Sequence, residues 1–359
     1  MIIYARSPYF INVALTAGYG SKLKLFLANG TASVPTDPTY EIVKDYNQGT
    51  ATSHDYNISN FIREYIDNIS YFTTPNRNFV KVKLETYRQN SDLSYTKLAT
   101  LEFLGTNGYT LYTQGASYTD PHSECVLLGN PNIENYYHRA GGFTPRMGIL
   151  VNSNLGSKLE VITTDLNGGN SVTTTLISTS TASTKAVLEA VLSDITNAAY
   201  NKGNFCRIRY FTGSTLTIDK TILVTPICEP KYTPVRCYYV NRFGGWQVLF
   251  FFKSQTNSIN ASGTSYNMLA NAVDYNTRLP QTTLFNVNGR QTVRLNTGWV
   301  PENYAELIQD LLLSETILLD DKPVQIKTQN TDLKTSLNDK NINYEIEFEY
   351  AYNLINNVV

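Results

Sequence analysis

Charged side chains are scarce in this sequence. Asp, Glu, Lys and Arg make up 16% of its 359 residues, against about 25% in an ordinary globular chain. The 29 basic and 30 acidic groups leave a formal net charge of −1, which excludes a histone-like or polybasic nucleic-acid binder, whose footprint is an excess of Lys and Arg. Cysteine is sparse too. Cys125, Cys206, Cys228 and Cys237 form no Cys-x-x-Cys pair, so neither a zinc knuckle nor a redox couple is written here. Four thiols in this length fall far short of a disulfide-stapled secreted domain, and they are expected as buried or half-buried free thiols. The three histidines, His54, His122 and His138, are widely separated and make no His-rich metal site. The longest apolar run, Val248 to Phe252, is five residues, where about 20 are needed to cross a bilayer. Met1 to Gly20 has no basic stretch leading into an apolar one, so no signal peptide is expected. The sequons at Asn29, Asn57, Asn68 and Asn260 then read as chance matches.

What stands in place of charge is hydroxyl, amide and phenol: 42 Thr, 37 Asn and 26 Tyr. Aromatic residues at 12% are too many for a disordered chain. A chain this long buries roughly 75% of its extended surface, and cores of this size tend to split. Two or three domains are therefore expected.

The dominant pattern is alternation, the period-2 signature of strands with one buried face. Over 79–87 it puts Val80, Val82 and Leu84 on one side and Lys81, Lys83 and Glu85 on the other. From Ile342 to Tyr350, Ile342, Tyr344, Ile346, Phe348 and Tyr350 alternate with Asn343, Glu345, Glu347 and Glu349. Three acids on one strand face would be a catalytic row only if opposed by something specific. A solvated face, or one paired with a neighbour's Lys and Arg, is the ordinary reading, and it also guards the edge.

Helical spacing is rarer. It predicts a helix over 59–69, with Phe61, Ile62, Tyr65, Ile66 and Ile69 on one stripe and Ser59 as cap. A second is predicted over 183–200 from Val187, Leu188, Val191, Leu192 and Ile195, stopped by Gly203. A third runs from Pro301 to Ser314, with Tyr304, Leu307, Ile308, Leu311 and Leu312 as its apolar side. The fold class is thus mainly β, all-β to α+β: antiparallel β-sandwich-like domains with about three short amphipathic helices. Residues 104–145 read as long loops, 171–184 as a Thr/Ser-rich tract, and Glu229-Pro-Lys-Tyr-Thr-Pro234 as a linker. These divide the chain into 1–115, a β-sandwich-like domain with one helix; 116–230, an α+β domain opening on loops; and 231–359, a β domain with one helix.

No constellation for catalysis emerges. Pro121-His-Ser-Glu-Cys125 holds the His-x-Glu half of a zinc-deaminase signature, but the Pro-Cys-x-x-Cys half is missing. A solvated loop histidine is the ordinary reading of His122. No GxSxG, GxxxxGK[ST] or HExxH occurs. The expectation is a non-enzymatic chain with no cofactor and no metal. Lys202, Arg207 and Arg209 form the densest basic group, and they read as the polar face of a strand, so no sequence-specific nucleic acid and no membrane is expected as partner. The segment 235–252 stands apart. Cys237 to Val240 make a strand, Asn241-Arg-Phe-Gly-Gly245 a turn, and Trp246 to Phe252 an apolar return strand. A run without a polar face implies a central strand, or one covered by another protein.

Four stretches together resemble a known group. They are Tyr239-Val-Asn-Arg-Phe-Gly-Gly-Trp-Gln247, Leu295-Asn-Thr-Gly-Trp-Val-Pro-Glu302, Leu307-Ile-Gln-Asp-Leu-Leu-Leu-Ser-Glu315 and Ile342-Asn-Tyr-Glu-Ile-Glu-Phe-Glu-Tyr-Ala-Tyr352. With Arg6-Ser-Pro-Tyr-Phe-Ile11, Tyr56-Asn-Ile-Ser59 and Phe61-Ile-Arg-Glu-Tyr-Ile66, they resemble virion structural proteins of tailed phages of Bacteroidota hosts, crAss-like phages included. The likeness touches both ends of the chain and is weakest over 145–230. It implies a tail component in the virion, made in the bacterial host cytoplasm and forming a ring or collar around the tail axis. Its partners would be copies of itself in a closed cyclic ring and other tail or collar proteins. No catalytic residue comes with it. Low charge and Asn-, Thr- and Tyr-rich loops fit such packing independently. Arg242, Phe243 and Trp246 at the turn, Trp299, and the 104–145 loops are the expected assembly contacts. The competing reading is a carbohydrate-binding β-sandwich or host adhesin, which would use the same Tyr, Trp and Asn groups.

Overall fold

A computed structural model of the chain describes residues 1–15, 19–30, 32–45, 52–66, 79–118, 124–153, 156–178, 184–229, 231–268, 276–328 and 341–356. It is mainly antiparallel β, in two units. One comprises Met1–Cys228, Tyr239–Val248 and Glu306–Glu315; the other comprises Glu229–Tyr238, Leu249–Ala305 and Thr316–Val359.

The first unit opens with β1 (Ile2–Tyr4), β2 (Phe10–Ala14), β3 (Ser21–Asn29), β4 (Tyr40–Lys44), β5 (Ser53–Asn57), β6 (Phe79–Gln89) and β7 (Tyr95–Thr106). Five of them make a sheet in the order β1-β7-β6-β3-β4, and β2 pairs with β5 separately. The alternation at 79–87 is realised in β6: Val80, Val82 and Leu84 join Leu23, Leu25 and Leu27 of β3 in one buried cluster. Each such side chain contributes about 1.5–3 kcal/mol of apolar burial. The predicted first helix is α1, which is shorter, Ser59–Glu64. Ser59 does not cap it. Its hydroxyl is buried, accepting from the Tyr9 N–H at 2.8 Å and donating to the Ser7 carbonyl at 2.6 Å, so it is taken up by the neighbouring chain instead. Ile62 and Ile66 are buried and Phe61 and Tyr65 pack beside them; Ile69 lies outside the described residues.

Next come β8 (Cys125–Leu127), β9 (Asn135–Tyr137), β10 (Arg146–Ser153), β11 (Lys158–Asp165), β12 (Val172–Ile177), β13 (Thr184–Val191), β14 (Asn204–Thr212) and β15 (Thr215–Pro226). They form sheets ordered β13-β10-β8 and β12-β11-β14-β15-β9. Here the predicted 183–200 helix is overturned. Thr184–Val191 is a strand, paired antiparallel with β10 from Arg146↔Val191 to Ser153↔Thr184. Apolar residues at 187, 188, 191 and 192 fit a helical period, but β-branched Thr184, Val187 and Val191 suit a strand equally. The fully buried Ile149, Leu150 and Val151 of β10 supply the non-local partner that decides it. Only a single 3-10 turn, Ala198–Tyr200, follows. The 104–145 segment is broken by the short β8 and β9 rather than being loop throughout. Arg207 points outward from β14, its guanidinium paired with Asp219 across the sheet.

The last strands are β16 (Val235–Val240), β17 (Trp246–Phe251), β18 (Thr256–Asn267), β19 (Thr282–Pro301), β20 (Ile317–Leu319), β21 (Lys322–Ile326) and β22 (Asn341–Tyr350), ordered β17-β16-β20-β21-β22-β19-β18. The 248–252 run is not a central strand, because β17 ends its sheet; Leu249 to Phe252 are nonetheless buried. In β22, Ile342, Tyr344, Ile346 and Phe348 are buried, and the Phe348 ring meets Phe251 edge-on at 5.7 Å. The helix predicted from Pro301 is α2 (Ala305–Leu312), preceded by a 3-10 turn. Pro301 itself ends β19. Among the described residues there are therefore two α-helices, not the expected three.

Candidate assembly surfaces

The turn 241–245 is built around Asn241, which is fully buried. Its side-chain oxygen accepts from the N–H groups of Phe243 at 3.0 Å and Gly245 at 3.1 Å, an arrangement Asn favours in turns. Gly244 sits at φ +80°, a left-handed conformation open to Gly without steric cost. The tip is anchored inside its own unit. The Asn241 amide donates to the Leu128 carbonyl at 3.0 Å, and Tyr109 N–H donates to the Arg242 carbonyl at 2.8 Å. Phe243 packs on the cluster containing Tyr4, Phe79, Leu104 and Leu128. Arg242 and Phe243 are half-buried and Trp246 is 7% exposed. Three of the four expected contact residues thus meet at one hairpin, and part of the 104–145 segment grips it from within the chain.

Beside the tip, α2 presents Asp310, 7% exposed, whose carboxylate accepts from Tyr109 OH at 3.2 Å. Burial pushes this carboxyl up, and the Arg242 charge pulls it partly back. Burial likewise raises the Tyr109 phenol, helped by Asp310. Asn130 donates to Glu306 at 2.5 Å, closing a cavity of about 30 Å³ lined also by Leu111 and Gln309. That is room for a water molecule or two.

Trp299 belongs to the other unit and is 72% exposed. It stands on β19 opposite Asn343, after a bulge, with Gly298 at φ +79°. On the same face Asn296 lies opposite Glu345 and Arg294 opposite Glu347. The acidic row of β22 is paired: Glu347 with Arg294 and Lys327, both at 3.3 Å, and Glu349 with Arg290 at 3.2 Å. Lys327 and then Arg294 hold the Glu347 carboxyl below its usual range. A polar concavity of about 290 Å³ opens here, lined by Thr256, Ser258, Asn260, Thr292, Arg294, Lys327 and Glu347. Its charges already answer one another.

The ribbon formed by β18 and the outer half of β19 is not among the contacts expected from sequence. All twelve residues of β18 are exposed, and Ile259, Tyr266, Leu284, Phe285 and Val287 are exposed apolar groups on it. The available signal was the absence of any charge from Thr256 to Asn267.

His54 bonds the Ser21 hydroxyl at 2.7 Å and is depressed by burial. His122 lies outside the described residues; Glu124 of the same motif accepts from the Thr212 hydroxyl at 2.8 Å. Among the described residues no group of three or more His, Cys, Asp or Glu could hold a metal ion, and no helix is long and apolar enough to cross a membrane. No protein-family model matches the chain, and no curated protein matches it.

Proposed function

We propose that the chain is a non-enzymatic structural subunit of a phage virion tail, assembling into a ring or collar around the tail axis through contacts with its own copies and other tail proteins. The observation that carries this reading is the exposed aromatic pair on one face of the ribbon, Tyr266 and Phe285, whose rings lie 5.7 Å apart. Such patches mark association sites. The sequence resemblance supplies the virion context. Closure into a ring would use heterologous contacts, one face of each copy against a different face of the next. The test is the mass of the purified chain in solution, followed by negative-stain imaging. Closed multi-copy particles are the expected result; a monomer at all concentrations, with and without the other tail proteins, rejects the reading.

One arrangement favours a second reading. Trp299 projects from a face that also carries Asn296, Asn343, Arg294 and Glu345, an aromatic platform beside amide and charged groups of the kind that recognises sugars. A host adhesin would be a discrete monomer or trimer, and titration with host glycans would quench Trp299 fluorescence in a Trp246→Phe background. A ring subunit gives no glycan response.

A further inference from the structure

β18 ends the order of its sheet, so one of its edges has no strand beside it among the described residues. Twelve residues at about 3.3 Å each make an edge of roughly 40 Å. Exposed edges are ordinarily blunted by charge or proline. In this chain the edge strands β4, β5 and β13 carry Glu41 and Lys44, Asp55, and Lys185 and Glu189, while the shorter edge strands β12 and β17 carry neither charge nor proline. β18 reads Thr-Asn-Ser-Ile-Asn-Ala-Ser-Gly-Thr-Ser-Tyr-Asn and has neither device. Its support inside the chain is thin as well. β19 pairs with β22 only from Thr292 onward, so Thr282 to Gln291 has β18 as its one strand partner among the described residues, with Asn353 to Ile355 bonding only Asn288 to Arg290 of it. A two-stranded ribbon is marginal in water and gains independent stability from a third strand or a packed face. Apolar groups lie on both faces: Tyr266 and Phe285, their rings 5.7 Å apart, on one, and Leu284 on the other.

We infer that β18 is a self-pairing edge, adding antiparallel to β18 of a second copy of this chain. Charge selects the occupant. An uncharged edge offers nothing to nucleic acid or to a charged peptide, whereas a second copy brings the same uncharged edge and opposes no like charges in any register. A two-fold contact satisfies both free edges at once, so pairing stops at two. It makes a four-stranded sheet, β19-β18-β18-β19, from two ribbons. This contact is separate from ring closure: it joins two copies, or two rings, and closes neither.

The full chain tests it by sedimentation equilibrium with three proteins. These are the wild type, Ile259→Lys with Ala261→Lys, and Ile259→Glu with Ala261→Glu. Both positions are exposed on β18, opposite Gln291 and Gly289. Each single-sign variant is expected at half the wild-type mass, whatever that mass is, because like charges meet across the pair. An equimolar mixture of the two should recover the full mass. The inference is overturned if the variants keep the wild-type mass, if the mixture stays at half, or if the wild type gains mass only with a different protein. Should a double variant lose its far-UV signal, Ala261→Lys alone is read the same way. Absence of closed particles with a twofold mass ratio retained would reject the ring reading and leave the self-pairing edge standing.

Discussion

The side-chain amide of Asn241 donates to the main-chain carbonyl of Leu128 at 3.0 Å across 113 positions of sequence. This bond ties the tip of a hairpin to a loop from the first half of the chain. Asn241→Ala would leave the Leu128 carbonyl and the Phe243 and Gly245 N–H groups without these partners, in a site where Asn241 is fully buried. The expected cost is about 3 kcal/mol or more, since three groups are orphaned and each costs about 1–3 when buried. Urea unfolding with an unchanged m-value checks it; a loss below about 0.5 kcal/mol, the range of an ordinary surface change, would show that the tip is not held this way.

Glycine at the same tip separates backbone conformation from space. Gly244 and Gly168 have φ of +80° and +81°. A Cβ on Gly168 meets nothing within 4 Å, whereas one on Gly244 would stand 2.7 Å from the Gly108 nitrogen. Gly168→Ala should therefore cost about 1 kcal/mol of left-handed strain, and Gly244→Ala a further 1–3 kcal/mol or so of overpacking. Equal melting temperatures for the two variants would contradict the docked tip.

The two tryptophans should behave oppositely. Trp246 is 7% exposed and Trp299 is 72% exposed. Trp246→Ala is expected to cost about 3–5 kcal/mol as a core truncation. Trp299→Ala should stay within about 0.5 kcal/mol of wild type, so any loss of assembly it causes reports a surface contact. Thermal melts beside particle mass distinguish these outcomes; a strongly destabilised Trp299→Ala would assign that residue to folding.

Acid should weaken the first unit through Glu85. Its carboxylate accepts from Lys97 Nζ at 2.7 Å and Tyr87 OH at 2.6 Å, and these bonds hold it down at about 2. A folded value below the unfolded one gives stability that is complete above about pH 5 and is lost as pH falls toward 2. Glu85→Gln should flatten the melting temperature over that window. The effect is of order 1 kcal/mol, because Lys97 is 44% exposed and solvent screens the pair. Tyr87, pushed up to about 12 by the same bond, should add an alkaline limb lost between about pH 10 and 12. Parallel profiles for wild type and variant would refute the assignment.

Thiol labelling should be uneven. Cys125, Cys206 and Cys237 are buried, as expected, whereas Cys228 is exposed and departs from the expectation of a buried or half-buried thiol. Burial pushes the Cys206 thiol up to about 12 and raises Cys237 as well. Native protein should react with Ellman's reagent at Cys228 alone, and unfolded protein at all four. Rapid native labelling of two or more would show an opened core.

Sequence by itself determined the strands whose alternation matches the pleat. In β6 and β22, neighbouring side chains point to opposite faces, so local order and burial carry the same information. It determined the turn at 241–245, because Asn and Gly act there through their own backbone. It did not determine 184–191, where Val187, Leu188 and Val191 fit a helical spacing, β-branched Thr184, Val187 and Val191 suit a strand, and β10, more than thirty residues upstream, settled the matter. Nor could it say that Asn241 ends at Leu128, or that Trp246 is buried and Trp299 exposed; both stand directly after a glycine, and burial is a property of what arrives from elsewhere. The ribbon shows the limit most plainly. Ile259 lies on the same face as buried Val293 of β19, yet it is 66% exposed, because β22 stops pairing with β19 at Thr292 and the sheet that would cover it ends there.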